Sequence, residues 1–164
     1  MHFLINAVQR GRLCALELLL LDKRVDPSKD NNRALRNAVD MGQKTMVEML
    51  LNHPKVNPAD AENHALISAA ERGYVDILKL LLADSRIDPS ADGNEAIICA
   101  AAKGHLGIVE LLLADARVNP ASRRNRALNR AIENMHQEVA QALLADPRVM
   151  KKGNKPKVLL HSKK

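Results

Sequence analysis

The chain repeats itself every 31 residues. Val25-Asp26-Pro27, Val56-Asn57-Pro58, Ile87-Asp88-Pro89 and Val118-Asn119-Pro120 recur at that interval, and Val149 falls in register where the pattern ends. Other columns keep step: Asn32, Asn63, Asn94 and Asn125; Leu4, Leu35, Leu66, Ile97 and Leu128; Ala7, Ala38, Ala69, Ala100 and Ala131; Gly11, Gly42, Gly73 and Gly104. Self-similarity at a period of 20–50 residues marks an array of small supersecondary units, each of which buries its apolar face only against its neighbours.

Each unit reads as two short helices and a turn. The first begins after an asparagine suited to N-capping, as in Asn63-His64-Ala65-Leu66, and stops at a glycine suited to the left-handed C-terminal cap, as at Gly73. The second follows at once: in Val75 to Leu82 the residues Ile77, Leu78, Leu81 and Leu82 fall at helical spacing while Lys79 faces water. Asp84 to Ser90 then combines an Asx-Pro signal with a β-branched residue, which predicts an exposed turn or a short β-hairpin. Helices of about nine residues do not persist alone in water, so stacking must supply the stability. The alanine column fits close approach of neighbouring helices.

The runs Ala69 to Leu82 and Ala101 to Leu113 resemble the ankyrin repeat, whose units carry an A-A-x-x-G-H-x-x-I/V-V-x-x-L-L-L stretch. The resemblance covers residues 1 to about 149. It departs from the family at the Thr-Pro-Leu-His motif, replaced here by Arg33-Ala34-Leu35-Arg36, His64-Ala65-Leu66-Ile67, Glu95-Ala96-Ile97-Ile98 and Arg126-Ala127-Leu128-Asn129. The fold it implies is an all-α, ankyrin-like α-solenoid of five stacked helix-turn-helix repeats joined by short turns or hairpins. The units are expected at about 1–24, 25–55, 56–86, 87–117 and 118–149, followed by a basic tail over 150–164. The opening unit, with Phe3, Leu4, Ile5, Leu13 and Leu21, reads as an uncapped apolar end, open to self-association. The last unit replaces the glycine with Met135 and carries Asn129, Asn134, Gln137 and Gln141, the pattern of a C-terminal cap.

Chemistry does not converge anywhere along the chain. Polar residues recur as columns instead of assembling a Ser-His-Asp, Cys-His or paired-carboxylate constellation, the glycines fall singly at helix ends, and the six histidines are scattered. No enzyme, cofactor or metal site is expected. Aromatic content of 1% argues against base stacking. Cys14 and Cys99 lie three units apart and read as buried free thiols, which suits a reducing intracellular compartment, cytoplasmic or nuclear. Glu17 interrupts the longest apolar run, Leu13 to Leu21, so no transmembrane segment is expected.

What remains is surface recognition, and the resemblance implies where it lies. Ankyrin repeats bind protein partners through the turn tips and the concave side of the first helices. Carried onto this chain, those columns hold Lys29, Asp30, Arg33, Asp40 and Met41; Asp60, His64, Glu71 and Arg72; Asp92, Glu95 and Lys103; and Arg123, Arg126, Glu133 and Asn134. Charge position supplies an alternative. Residues 1–120 carry a net −2 and residues 121–164 a net +8, from Arg123, Arg124, Arg126, Arg130 and the tail lysines. Such a region can contact a polyanion, whether nucleic acid, acidic lipid or an import receptor.

Overall fold

The computed structural model describes residues 2–150, less the side chains of His2 and Ala61; the basic tail expected after Met150 lies outside the described residues. Ten helices follow one another: α1 His2–Gln9, α2 Leu13–Leu21, α3 Lys29–Asp40, α4 Lys44–Leu51, α5 Asp60–Arg72, α6 Val75–Ala83, α7 Ala91–Lys103, α8 Leu106–Ala114, α9 Ser122–Glu133 and α10 Gln137–Ala145. The described residues contain no strand. They divide into two compact units, one of the described residues up to Ala69 with Asp76–Ile87, the other of Ala70–Val75 with the described residues from Asp88 on.

In the first unit α1 packs on α2 and α3, α3 on α4, and α2 on α4. Its core is aliphatic: Leu4, Ala7, Leu35 and Ala38 from the repeat columns are buried, together with Val8, Leu16, Val39, Met46, Val47, Leu50 and Val56. The second unit repeats the scheme, α7 packing on α8 and α9, α8 on α10 and α9 on α10. There Ile97, Ala100, Ile108, Val109, Leu112, Leu128, Ala131, Val139, Leu143 and Val149 are buried. Each large aliphatic side chain removed from water contributes about 2 kcal/mol.

The glycine column behaves as expected. Gly11, Gly42, Gly73 and Gly104 have φ of 63°, 67°, 80° and 78°, the left-handed conformation an L-residue enters at a cost. A second requirement appears at Gly73 and Gly104. A Cβ there would lie 2.8 Å from His105 Cε1 and 2.6 Å from His136 Nδ1 respectively, because the histidine opening the next hairpin lies over the glycine. The rings are held by hydrogen bonds, Nε2–H of His105 donating to the Glu71 carbonyl at 2.9 Å and that of His136 to the Ala102 carbonyl at 3.1 Å.

The asparagine column does not cap its own helix. α3 opens with three left-handed residues, Asp30, Asn31 and Asn32; α7 does so with Asp92, Gly93 and Asn94, and α9 with Arg123, Arg124 and Asn125. Asn32 is 1% exposed and binds a peptide group 25 residues on: its Nδ2 donates to the Asn57 carbonyl at 3.1 Å, and its Oδ1 accepts from the Asn57 N–H at 3.3 Å. Asn94 Oδ1 accepts from the Asn119 N–H at 2.6 Å, and Asn125 Nδ2 donates to the Val149 carbonyl at 3.3 Å. The side chain that sequence logic assigns to the local helix end therefore anchors the following turn.

Two other expectations need correcting. The connections are tight turns with no β-hairpin among the described residues, and Val56, Ile87 and Val118 within them are buried instead of exposed. Each turn is closed by its own Asx residue, the N–H of Ser28, Ala59, Ser90 and Ala121 donating to the Oδ1 of Asp26, Asn57, Asp88 and Asn119. Cys14 is exposed, because its column lies on the outer side of α2, and only Cys99 is partly buried. Burial, with Glu95 adding to it, pushes the Cys99 thiol up to about 11, so it stays protonated at neutral pH.

Candidate partner-binding surface

The tips are built on a clasp of three residues. Asp22-Lys23-Arg24, Asp84-Ser85-Arg86, Asp115-Ala116-Arg117 and Asp146-Pro147-Arg148 stand 31 or 62 residues apart, and in each the aspartate accepts both the arginine backbone N–H and its guanidinium fork. Arg86 reaches further, to the carbonyls of Val56 at 2.6 Å and Leu51 at 3.4 Å. Arg148 likewise donates to the carbonyls of Val118 at 3.0 Å and Leu113 at 2.7 Å. One planar cation thus satisfies the end of the preceding second helix and the preceding turn together. His53 and Lys55 occupy these columns in the second repeat, where the clasp among the described residues is reduced to the Lys55 N–H donating to His53 Nδ1, at 3.3 Å.

The arginine forks hold the carboxyls of Asp84, Asp115 and Asp146 below the ordinary aspartate range, and that of Asp22 at about 2. A depressed carboxyl stabilises the folded chain fully above the unfolded value near 3.8, and the contribution is lost as pH falls through the folded value. The urea midpoint is therefore expected to change little between about pH 7 and 5 and to fall below about pH 4. Replacing Asp84, Asp115 and Asp146 together by Asn lowers the midpoint at neutral pH and makes the fall between about pH 4 and 2 shallower. An equally steep fall in the variant would place the acid sensitivity elsewhere.

The first-helix faces and tips hold the sixteen predicted contact residues in two sets. In the first unit Asp40 accepts from the Ser68 hydroxyl, and Asp60 accepts from the side-chain amides of Asn32 and Asn57. The buried Nδ1 of His64 has no hydrogen-bond partner among the described residues. Lys29, Asp30, Arg33 and Met41 are exposed, Asp30 offering its carbonyl to Arg36 Nη2 at 3.0 Å. In the second unit Arg123 bridges the α7 tip, donating to Asp92 Oδ1 at 2.8 Å and Glu95 Oε2 at 2.7 Å. Its guanidinium occupies the space above Gly93, where a Cβ would lie 2.6 Å from Nε. Lys103 pairs with Glu71 at 3.4 Å and Arg130 with Glu133 at 3.3 Å, while Asn134 Nδ2 donates to the Ala102 carbonyl at 2.6 Å. Arg72 is exposed and Arg126 half-buried.

The placement sorts these side chains by role. Asp40, Asp60, Asp92, Glu95, Arg123 and Asn134 tie one repeat to the next. Arg33, Met41 and Arg126 carry no side-chain hydrogen bond or ion pair among the described residues. Sequence reasoning missed the Asp-x-Arg clasp, although its signal, an aspartate two residues before an arginine at multiples of the repeat, was available in the same columns.

No group of three or more His, Cys, Asp or Glu able to hold a metal occurs among the described residues, and none of their helices is long and apolar enough to cross a membrane. A family model described as ankyrin repeats in three copies matches residues 4–92 and 85–153. This chain belongs to the ankyrin repeat family. Ankyrin repeats are generally protein–protein interaction modules and typically lack catalytic activity. No curated protein matches the chain. The ankyrin assignment accounts for the paired helices and the glycine column, while the left-handed openings of α3, α7 and α9 and the Asp-x-Arg clasp are described by the geometry above.

Proposed function

We propose that this ankyrin chain is a non-catalytic binding module that engages a protein partner through its turn tips and the exposed faces of its first helices. The observation that carries the reading is the separation of roles just described. The cross-repeat bonds give the tips a fixed form, and Arg33, Met41 and Arg126 are left with side chains that nothing in the described structure uses. Rigid presentation of uncommitted side chains lowers the ordering cost of association.

A photo-crosslinking residue at Met41 is expected to capture a partner that the same residue at Lys79, exposed on the second helix α6, does not. Substituting Arg33 and Arg126 by Asp should lower that capture at least about tenfold, the size of effect expected where two charged contacts are reversed. Circular dichroism should show an unchanged fold. Equal capture from both positions, or capture insensitive to the double substitution, refutes the reading.

The polyanion alternative draws on α9, but two of its four arginines are already neutralised, Arg123 by Asp92 and Glu95 and Arg130 by Glu133. Arg124 and Arg126 keep their positive charge on α9, and the rest of the positive charge of that reading lies in the tail, outside the described residues.

A further inference from the structure

Within the first unit α3 and α4 pack against α1 and α2, and within the second α9 and α10 pack against α7 and α8. In these packed hairpins Ala34 and Ala127, Met46 and Val139, and Leu50 and Leu143 stand in shared columns and are at most 1% exposed. In the same columns of the first hairpin Phe3 is 80% exposed, and Ala15 and Leu19 are half-buried. With Leu18, which is 70% exposed, these side chains line an open hollow across α1 and α2 that nothing among the described residues covers.

One margin of the hollow is basic. Arg10 and Arg12, from the turn between α1 and α2, line it, and no acidic side chain does. Neither arginine has a side-chain hydrogen bond or ion pair among the described residues. The same two columns have a defined task in the second unit, where Lys103 and Asn134 correspond to Arg10, and His105 and His136 to Arg12. Lys103 pairs with the Glu71 carboxylate at 3.4 Å, and Asn134 Nδ2 donates to the Ala102 carbonyl at 2.6 Å. The Nε2–H groups of His105 and His136 donate to the carbonyls of Glu71 and Ala102. All four side chains thus reach the last turn of a preceding first helix, where carbonyls lack partners within the helix. Arginine in both columns is a stronger form of that donor set, because two permanently charged forks suit the negative end of a helix and any carboxylate beside it.

We propose that this face binds an amphipathic α-helix of a protein partner, with the aliphatic side of that helix on Phe3, Ala15, Leu18 and Leu19 and its carboxylate-bearing C-terminal turn on Arg10 and Arg12. The charges select the occupant. A neutral or basic helix would leave two guanidinium groups unpaired at the edge of the covered patch, whereas carboxylates and free carbonyls pair them. They also set its direction, since a helix running the other way would bring its own positive end against two cations. A second copy has no carboxylate on this face to offer, and residues 151–164, with six lysines and no Asp or Glu, carry the wrong sign. Helices of eight and nine residues give a face roughly 13 Å long, which seats two to three turns of the partner. None of Arg33, Met41 and Arg126 lines the hollow, so the contact is separate from the one proposed for the tips.

Fluorescence anisotropy tests this, with the full chain titrated to about 500 µM against two labelled helical peptides of about 18 residues. Both carry a leucine stripe on an alanine and glutamine helix; one has three glutamates in its last turn, the other three lysines. The lysine peptide is the better free helix, since cations suit a helix C-terminus, so a preference for glutamate does not reflect helicity. The expected result is saturable binding of the glutamate peptide, at least about tenfold tighter than that of the lysine peptide and weakened by salt between about 0.05 and 0.5 M. Arg10→Glu combined with Arg12→Glu, both at exposed positions, should reverse the preference, an outcome that a misfolded variant would not give. Leu18→Asp should weaken both peptides at least about tenfold, with Phe3→Asp as the alternative variant if Leu18→Asp perturbs folding. Equal affinity for the two peptides, or a preference that survives the charge reversal, overturns the proposal. So does the absence of binding to the glutamate peptide, whether the chain is then monomeric, paired with a second copy or attached through this face to phosphatidylserine vesicles.

Discussion

Replacing Asn32 by Ala is expected to cost about 2–3 kcal/mol and to remove a cross-repeat tie without touching the apolar core. The side chain is 1% exposed and forms a two-way pair with the Asn57 peptide group, besides donating to Asp60. Alanine leaves the Asn57 N–H and carbonyl without that partner and keeps φ near 54°, where a residue lacking a hydrogen-bonding side chain is strained by about 1 kcal/mol. Asn32→Gly separates the two causes. It relieves the strain and keeps the loss of bonds, so it should recover a minor part of the stability. If Asn32→Gly matched the wild-type urea midpoint, the bonds to Asn57 would be energetically idle and the column would reflect backbone conformation alone.

The second large effect is expected from Ala38→Leu. Ala38 is 0% exposed in a unit where α1 packs on α3 and α3 on α4, and three added carbons there force the helices apart or the leucine off its rotamers. A cost of about 3 kcal/mol follows, which in a chain of this length lowers the melting temperature by roughly 6–12 °C. Ala83→Leu, on the exposed last residue of α6, is the matched control and should shift it by less than about 2 °C. If both substitutions behaved alike, the alanine column would owe its regularity to helix propensity and not to close packing.

The order of helices, the buried columns and the glycine ends were legible in the sequence because each depends on one residue and its immediate neighbours. Gly73 and Gly104 punctuate a helix whatever lies beyond them. The asparagines were harder. Asn32 in front of Arg33-Ala34-Leu35 carries the local signature of an N-cap, and that its amide reaches the Asn57 peptide depends on where a turn 25 residues away comes to rest. The same holds for Arg123, which reads as one of four surface arginines until Asp92 and Glu95 of the previous repeat are brought beneath it. The contact columns were legible as positions but not as roles, since the sequence does not distinguish an aspartate that joins two repeats, such as Asp60, from an arginine facing open solvent, such as Arg33. The turn valines and isoleucine were misplaced for a related reason. Their flanking polar residues mark a loop, while their burial comes from helices the loop itself connects.

The substitution of His53 and Lys55 for aspartate and arginine has a mechanical meaning. Where Arg86 and Arg148 rivet a turn to the carbonyls of the hairpin before it, the second repeat's turn makes, among the described residues, a hydrogen bond only within itself, with the Lys55 charge acting on Asp26 through space. The first hairpin is therefore held chiefly by its aliphatic contacts, and in mild denaturant it should loosen from α3 and α4 before the rest of its unit does. Among the described residues of that unit, the turn carrying His53 and Lys55 is thus a seam without a latch, closed by oil alone.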